Sequence, residues 1–153
     1  MLKYVDVAVT FAEVPDEISL CINISNCPCH CENCHSSYLA EDIGNILDKK
    51  SLDYLLTKFN GISCVSFMGG DKDPLSINIL AKYIKNKYNL KVCWYSGKQE
   101  ISNYIELKWF DYIKIGPYIS QNGPLNNSHT NQKFYRIVNN KIIDITYKFR
   151  KHD

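Results

Sequence analysis

The chain has no long apolar run and almost no excess of charge of either sign. No stretch approaches the roughly 20 apolar residues that a helix needs to cross a membrane. Asp6 interrupts the N-terminal segment, so it does not resemble a signal peptide. Lys plus Arg number 18 against 16 Asp plus Glu, and bulk charge therefore gives no argument for nucleic acid or an anionic membrane as partner. We expect a cytoplasmic protein that binds neither.

Length limits the architecture. With 153 residues, the chain predicts a single domain, 1–153, with its own core. It is too short for a complete eightfold βα barrel, which usually needs about 250 residues. No internal repeat and no linker-like stretch divides it.

Cysteine, in contrast, is abundant, with seven residues. In a reducing compartment this number argues for metal or redox chemistry rather than a disulfide framework. Three of them, expected to be small buried hydrophobes within strands, are Cys21, Cys64 and Cys93. The other four fall within eight residues and offer two ligand sets. One set, spaced C-x3-C-x2-C, is Cys27, Cys31 and Cys34. The other, which zinc could accept, is Cys29, Cys31, Cys34 and His35.

The rest of the pattern predicts strands that alternate with helices. The expected strands are 2–12, 18–24, 62–68, 90–95 and 112–115, followed by a hairpin over 134–147 that turns at Asn139-Asn140. One helix is predicted to begin after an N-cap at Ser51, a second after Asp73 with Pro74 at its first position, and a weaker one covers 99–107. Such alternation favours parallel βαβ units. The predicted fold is an α/β class, shortened (partial) βα barrel with a parallel sheet and a C-terminal β-hairpin.

Several turns whose residues could contact a ligand follow these strands. In a parallel sheet the carboxyl ends of the strands lie at one edge, where ligands bind. The cysteine-rich segment, Gly69-Gly70-Asp71, Ser96-Gly97 and Gly116-Pro117 all occupy such ends. Consecutive glycines let a backbone approach a ligand closely, and a neighbouring carboxylate can accept hydrogen bonds from an ammonium group. Lys114, near a strand end, is expected to be exposed.

Thiolates are the usual ligands of iron–sulfur clusters. A four-iron cluster held by three cysteines leaves one iron without a protein ligand, open to a small chelating molecule. The spacing Cys27-x3-Cys31-x2-Cys34 resembles the cluster motif of the radical S-adenosylmethionine superfamily, and 66–71 resembles its glycine–glycine–acid motif. The stretches 92–97, 110–118 and 130–133 are similar to those of the anaerobic ribonucleotide reductase activating proteins. The resemblance extends from about residue 18 to about residue 138.

This resemblance implies a [4Fe-4S] cluster bound by Cys27, Cys31 and Cys34, with no catalytic residue beyond the cluster. The residues implied to contact S-adenosylmethionine are Gly69, Gly70 and Asp71 at its methionine end, Ser96 and Gly97 at the ribose or methionine, and the backbone of Asn33 at the adenine. The implied activity is one-electron cleavage of S-adenosylmethionine and formation of a glycyl radical on the large subunit of an anaerobic ribonucleotide reductase. A low-potential donor such as flavodoxin or ferredoxin supplies the electron.

The chain departs from the family pattern at three places. Asn33 stands where relatives often have an aromatic or small residue, Asp71 replaces the commoner glutamate, and Cys29 is an additional thiol. Two alternatives stay open at this point. The first is a radical S-adenosylmethionine enzyme acting on another substrate. The second is a non-catalytic zinc-binding module that uses the ligand set containing Cys29 and His35.

Overall fold

The computed structural model describes residues 1–29 and 37–150. Within these ranges eight strands form one sheet: β1 (Leu2–Thr10), β2 (Ser19–Ile24), β3 (Asn45–Leu47), β4 (Cys64–Met68), β5 (Lys91–Tyr95), β6 (Tyr112–Ile115), β7 (Lys133–Val138) and β8 (Lys141–Asp144). The same ranges contain two α-helices, α1 (Lys49–Lys58) and α2 (Pro74–Lys87). The α/β class is confirmed.

The sheet is mixed. Its strand order is β3-β1-β2-β4-β5-β6-β7-β8. The central strands β2, β4, β5 and β6 are parallel, whereas the pairs β1–β2, β1–β3, β6–β7 and β7–β8 are antiparallel. The expectation of a parallel sheet is therefore wrong for the flanks, which account for most of the pairs. Two of the antiparallel pairs, β1–β2 and β7–β8, are joined by short connections, whereas a parallel pair needs a long crossover.

Both helices begin at side-chain caps. Asp73 accepts a hydrogen bond from the backbone N–H of Ser76 at 3.2 Å, and Pro74 is the first helical residue, as predicted. Helix α1 begins earlier than predicted. Its N-cap is Asp48, whose carboxylate accepts from the Ser51 N–H at 2.9 Å, while the Ser51 hydroxyl accepts from the Asp48 N–H. Ser51 is thus the third residue of a capping box rather than the cap itself.

The two faces of the sheet carry different cores, because successive side chains of a strand point to opposite faces. One face packs against both helices; its central strands contribute Leu20, Ile22, Ile24, Val65, Phe67, Val92, Trp94, Ile113 and Ile115. The opposite face holds a second cluster, made of Val14, Cys64, Cys93, Tyr112, Leu125, Phe134 and Ile145. Covering segments from both ends of the chain therefore bury the face that the helices leave open.

The C-terminal hairpin is present. Strands β7 and β8 pair antiparallel, with Val138 opposite Lys141. Asn139 and Asn140 have φ of 51° and 62°, the left-handed conformation that a two-residue type I′ turn requires at both positions. The predicted helix over 99–107 is wrong: that segment contains only the start of a short 3-10 turn, Leu107–Trp109.

Candidate functional site

Four strand ends meet at one edge of the sheet. Because β2, β4, β5 and β6 are parallel, the residues that follow them lie at the same edge, here called the carboxyl rim. The segments that form it are 25–29 after β2, 69–71 after β4, 96–97 after β5 and 116–117 after β6. The predicted turns are thus brought together.

Asp71 connects three of these segments. Its Oδ1 accepts a hydrogen bond from the Ser96 hydroxyl at 2.5 Å, and its Oδ2 accepts one from the Gly97 N–H at 2.8 Å. Oδ2 also lies 3.8 Å from the sulfur of Cys29, whose thiol donates to it. Hydrogen bonds to an ionised carboxylate are stronger than neutral ones. The acid of the glycine–acid turn therefore holds the rim in one arrangement.

The two glycines before Asp71 are required by the backbone. Gly69 and Gly70 have φ of 115° and 97°, which residues with a side chain rarely adopt. A Cβ on Gly70 would lie 2.6 Å from Cδ1 of Ile77, so the turn fits closely against α2. The carbonyl of Gly69 accepts a hydrogen bond from the buried Trp94 indole at 2.7 Å. Trp94 thus fixes this turn, a role that its place in an apolar strand did not reveal.

Only part of the cysteine-rich segment belongs to the described residues. Cys27 and Cys29 are half-buried at the rim. The backbone N–H of Cys27 donates to the Leu39 carbonyl at 2.8 Å, which anchors the segment to the connector before β3. The predicted residues Cys31, Asn33 and Cys34, and His35 of the zinc alternative, lie outside the described ranges.

Lys114 is buried, not exposed as expected. Only 7% of its surface is accessible. Its ammonium donates to the carbonyl of Ser96 at 3.1 Å and to that of Gly116 at 2.7 Å. It thereby joins the ends of β5 and β6 beneath the rim. The expectation failed because the segments that cover this face come from distant parts of the chain.

The segment 116–117, which follows β6, packs against the segment 130–132. A Cβ on Gly116 would lie 3.0 Å from the Cα of Gln132. The side-chain amide of Asn131 donates to the Pro117 carbonyl at 3.0 Å, while its buried Oδ1 finds no partner among the residues described. Two stretches of the family resemblance, which are separate in sequence, are therefore in contact.

The strand cysteines differ from those at the rim. Cys21, Cys64 and Cys93 are buried on three neighbouring strands. Burial raises the pKa of Cys21 and of Cys64 to about 12 and that of Cys93 well above its usual value. They are neutral thiols near pH 7, consistent with the predicted structural role.

The rim brings thiol, carboxylate and backbone N–H groups together. Cys27 supplies a partly accessible thiol, and Asp71 with the Gly97 backbone forms a polar corner next to Cys29. The described residues contain no group of three or more His, Cys, Asp or Glu side chains that could hold a metal ion, but two of the three predicted ligands lie outside those residues. Of the C-x3-C-x2-C set, Cys27 alone lies within the described residues, where it is half-buried.

No protein-family model, no curated protein and no solved structure shows a significant match to this chain. No helix within 1–29 and 37–150 is long and apolar enough to cross a membrane. Function therefore has to be inferred from the residues and their geometry.

Proposed function

We propose that this protein is a radical S-adenosylmethionine activase that generates a glycyl radical on an anaerobic ribonucleotide reductase. The observation that carries the proposal is the meeting of the Cys27–Cys29 segment, the glycine–acid turn and Ser96-Gly97 around the carboxylate of Asp71. These segments come from three different strand ends, and the family resemblance implies that the first binds the cluster while the other two contact its S-adenosylmethionine.

The sheet also supports the proposal. Both helices pack on one face of the four parallel strands, as the outer helices of a βα barrel do. The opposite face carries polar groups among its apolar core, including Ser66 and Lys114. We infer that the sheet forms a shortened barrel whose inner face lies below the cofactor.

Each predicted site residue has a role in this proposal. Cys27, Cys31 and Cys34 hold the [4Fe-4S] cluster, which supplies the electron for cleavage of S-adenosylmethionine. Gly69, Gly70 and Asp71 receive its methionine end, and Asp71 binds the ammonium group, since a carboxylate oxygen can accept more than one hydrogen bond. Ser96 and Gly97 hold Asp71 in position and face the ribose or methionine, and the Asn33 backbone faces the adenine.

The overall reaction balances. One electron from a low-potential donor such as flavodoxin or ferredoxin and one S-adenosylmethionine cation are consumed. A hydrogen atom leaves the Cα of a glycine in the reductase. The products are methionine, 5′-deoxyadenosine and a glycyl radical. The proposed location is the cytoplasm, where thiol ligands stay reduced.

Cys27 and Cys29 distinguish this proposal from the zinc-binding module, because Cys31 and Cys34 belong to both ligand sets. We expect Cys27→Ala to lose iron, sulfide and S-adenosylmethionine cleavage. Cys29→Ala, the matched control two residues away, should keep all three. The measurement is the iron, sulfide and zinc content of each variant purified without oxygen, beside a cleavage assay. Zinc that is lost from Cys29→Ala but retained in Cys27→Ala would refute the cluster assignment and the radical chemistry with it.

A further inference from the structure

The thiol of Cys29 fills the corner of the rim where Asp71 and Gly97 meet. Its sulfur lies 3.8 Å from Oδ2 of Asp71. The space above Gly97 is taken as well, since a Cβ built on that residue would lie only 2.6 Å from the sulfur. Cys29 is not a ligand in the C-x3-C-x2-C assignment, so its position requires a separate explanation.

We propose that Cys29 is a gating residue, whose thiol occupies the place of the methionine end of S-adenosylmethionine and turns away when this cofactor binds. The inference rests on the proposed function, because it takes Asp71 and Gly97 as contacts of that end. It adds a closed state of the site, in which the corner is filled by the protein's own side chain.

When the cofactor's ammonium group replaces the Cys29 thiol as a hydrogen-bond donor to Asp71, the open form of the corner is favoured. In the structure Oδ2 accepts from the Gly97 N–H and from the Cys29 thiol. A thiol is a weak donor, whereas an ammonium group makes a charge-assisted hydrogen bond with a carboxylate. The incoming ammonium can therefore replace the thiol on Asp71, while the bond from Gly97 remains. The measured affinity for the cofactor equals the affinity of the open form multiplied by the fraction of molecules that are open.

The backbone hydrogen bonds that anchor the segment 25–29 do not involve the Cys29 side chain. The segment is anchored before Cys29, by the Asn26 N–H to the Glu41 carbonyl at 3.1 Å and by the Cys27 N–H to the Leu39 carbonyl at 2.8 Å. Rotation of Cys29 about its Cα–Cβ bond between staggered positions moves the sulfur without breaking either bond. The gate thus leaves the proposed cluster ligand Cys27 in place.

Binding of S-adenosylhomocysteine tests the gate, because it carries the same amino and carboxylate groups and is not cleaved. The cluster-loaded protein is titrated by calorimetry without oxygen. We expect Cys29→Ala to bind the probe about threefold to tenfold more tightly than the wild type, since no thiol competes for the corner. Cys29→Ser keeps a donor beside Asp71 and is the matched control; it should bind the probe less tightly than Cys29→Ala does.

The reactivity of Cys29 gives an independent measurement. If the thiol leaves the corner, the probe should increase the rate at which iodoacetamide alkylates Cys29, as located by tandem mass spectrometry. Two results would overturn the gate and leave the proposed function intact. In the first, the wild type binds the probe but Cys29→Ala binds it no more tightly. In the second, the probe protects Cys29 from alkylation. If neither the wild type nor either variant binds the probe when its cluster is loaded, the proposed function and the gate both fail.

A stability measurement tests the contact itself without any cofactor. Alanine at position 97 places a methyl group against the Cys29 sulfur, so Gly97→Ala should destabilise the wild type. In the Cys29→Ala background the sulfur is gone, and the same substitution should cost less. Equal loss of stability in the two backgrounds, measured by urea unfolding, would refute the contact on which the gate depends.

Discussion

Asp71 is the residue to which the carboxyl rim is tied. Both carboxylate oxygens are occupied, one by the Ser96 hydroxyl and the other by the Gly97 N–H. Asparagine has the same shape but replaces one acceptor with a donor, and it carries no charge for a ligand ammonium. The substitution therefore disturbs both the fit of the rim and its electrostatics.

We expect Asp71→Asn to weaken S-adenosylmethionine binding by about tenfold to a hundredfold, which corresponds to the loss of about 1.5–3 kcal/mol for a charge-assisted hydrogen bond. Iron and sulfide content should not change. Calorimetry on the cluster-loaded protein measures the affinity. Asp16→Asn is the matched control, because the Asp16 side chain is 79% exposed in a surface pair with Lys148. Equal affinities for Asp71→Asn and wild type would remove Asp71 from the site.

Single residues also show the limits of prediction from sequence. The Gly69-Gly70-Asp71 turn was predictable because it follows an apolar strand and needs little beyond local backbone conformation. The burial of Lys114 was not, because its acceptors, the carbonyls of Ser96 and Gly116, become neighbours only in the sheet. The contact of Cys29 with Asp71 spans 42 positions and leaves no local pattern.

At the scale of the elements, boundaries follow hydrogen bonds that a local pattern shows only in part. Asp48 and Ser51 are both good caps, and the structure uses both in one capping box. The predicted helix over 99–107 fails for a tertiary reason. The buried side chain of Asn78 in α2 accepts from the Glu106 N–H at 2.9 Å and donates to the Glu106 carboxylate at 3.0 Å. Packing against α2 thus overrides a weak helical preference.

Helices α1 and α2 are joined by Asp53. Its carboxylate accepts hydrogen bonds from the hydroxyls of Tyr83 and Tyr88 and from the ammonium of Lys87. These bonds, that of Tyr88 first, lower the pKa of Asp53 from 3.8 to about 2. A carboxyl group with a lowered pKa in the folded state stabilises the fold above pH 4, and this contribution is lost as the pH falls towards 2.

We therefore expect wild type to lose more of its free energy of unfolding between pH 6 and pH 3 than Asp53→Asn, which has no group to protonate there. Tyr88→Phe, which removes the first cause of the shift and keeps the carboxylate, should fall between them. Urea unfolding at both pH values measures the difference. A loss of stability that is as large in Asp53→Asn as in wild type would show that Asp53 does not contribute in this way.

For the molecule as a whole, the sequence indicated the α/β class and the order of the central elements, because apolar runs and helix caps are local signals. It did not indicate that strands on both flanks run antiparallel, since strand direction depends on pairing. The short strand β3 escaped detection because three residues give no periodicity, and its pairing with Leu2–Tyr4 is a tertiary contact.

At the scale of the whole molecule, the carboxyl rim is the surface that we expect to bind the partner protein. The turns that form the described part of the rim are short, so little protein is available there to enclose a free small substrate. We expect the rim to dock on a reductase whose glycine-bearing loop enters the site. Anaerobic mixing with candidate reductase large subunits, a reductant and S-adenosylmethionine should produce a glycyl doublet in the EPR spectrum. Cys27→Ala protein should give no doublet, and turnover of a free small molecule without any doublet would contradict an activase.

The mixed sheet has a consequence for folding order. The hairpin of β7 and β8 closes over two residues, so it can form early from local contacts. The carboxyl rim unites Cys29, Asp71 and Gly97, which meet only after two crossovers have placed β2, β4 and β5 side by side. A nascent chain that ends before β5 has the cysteine-rich segment but lacks the Ser96-Gly97 segment that holds Asp71. Completion of the parallel centre therefore has to precede assembly of the carboxyl rim.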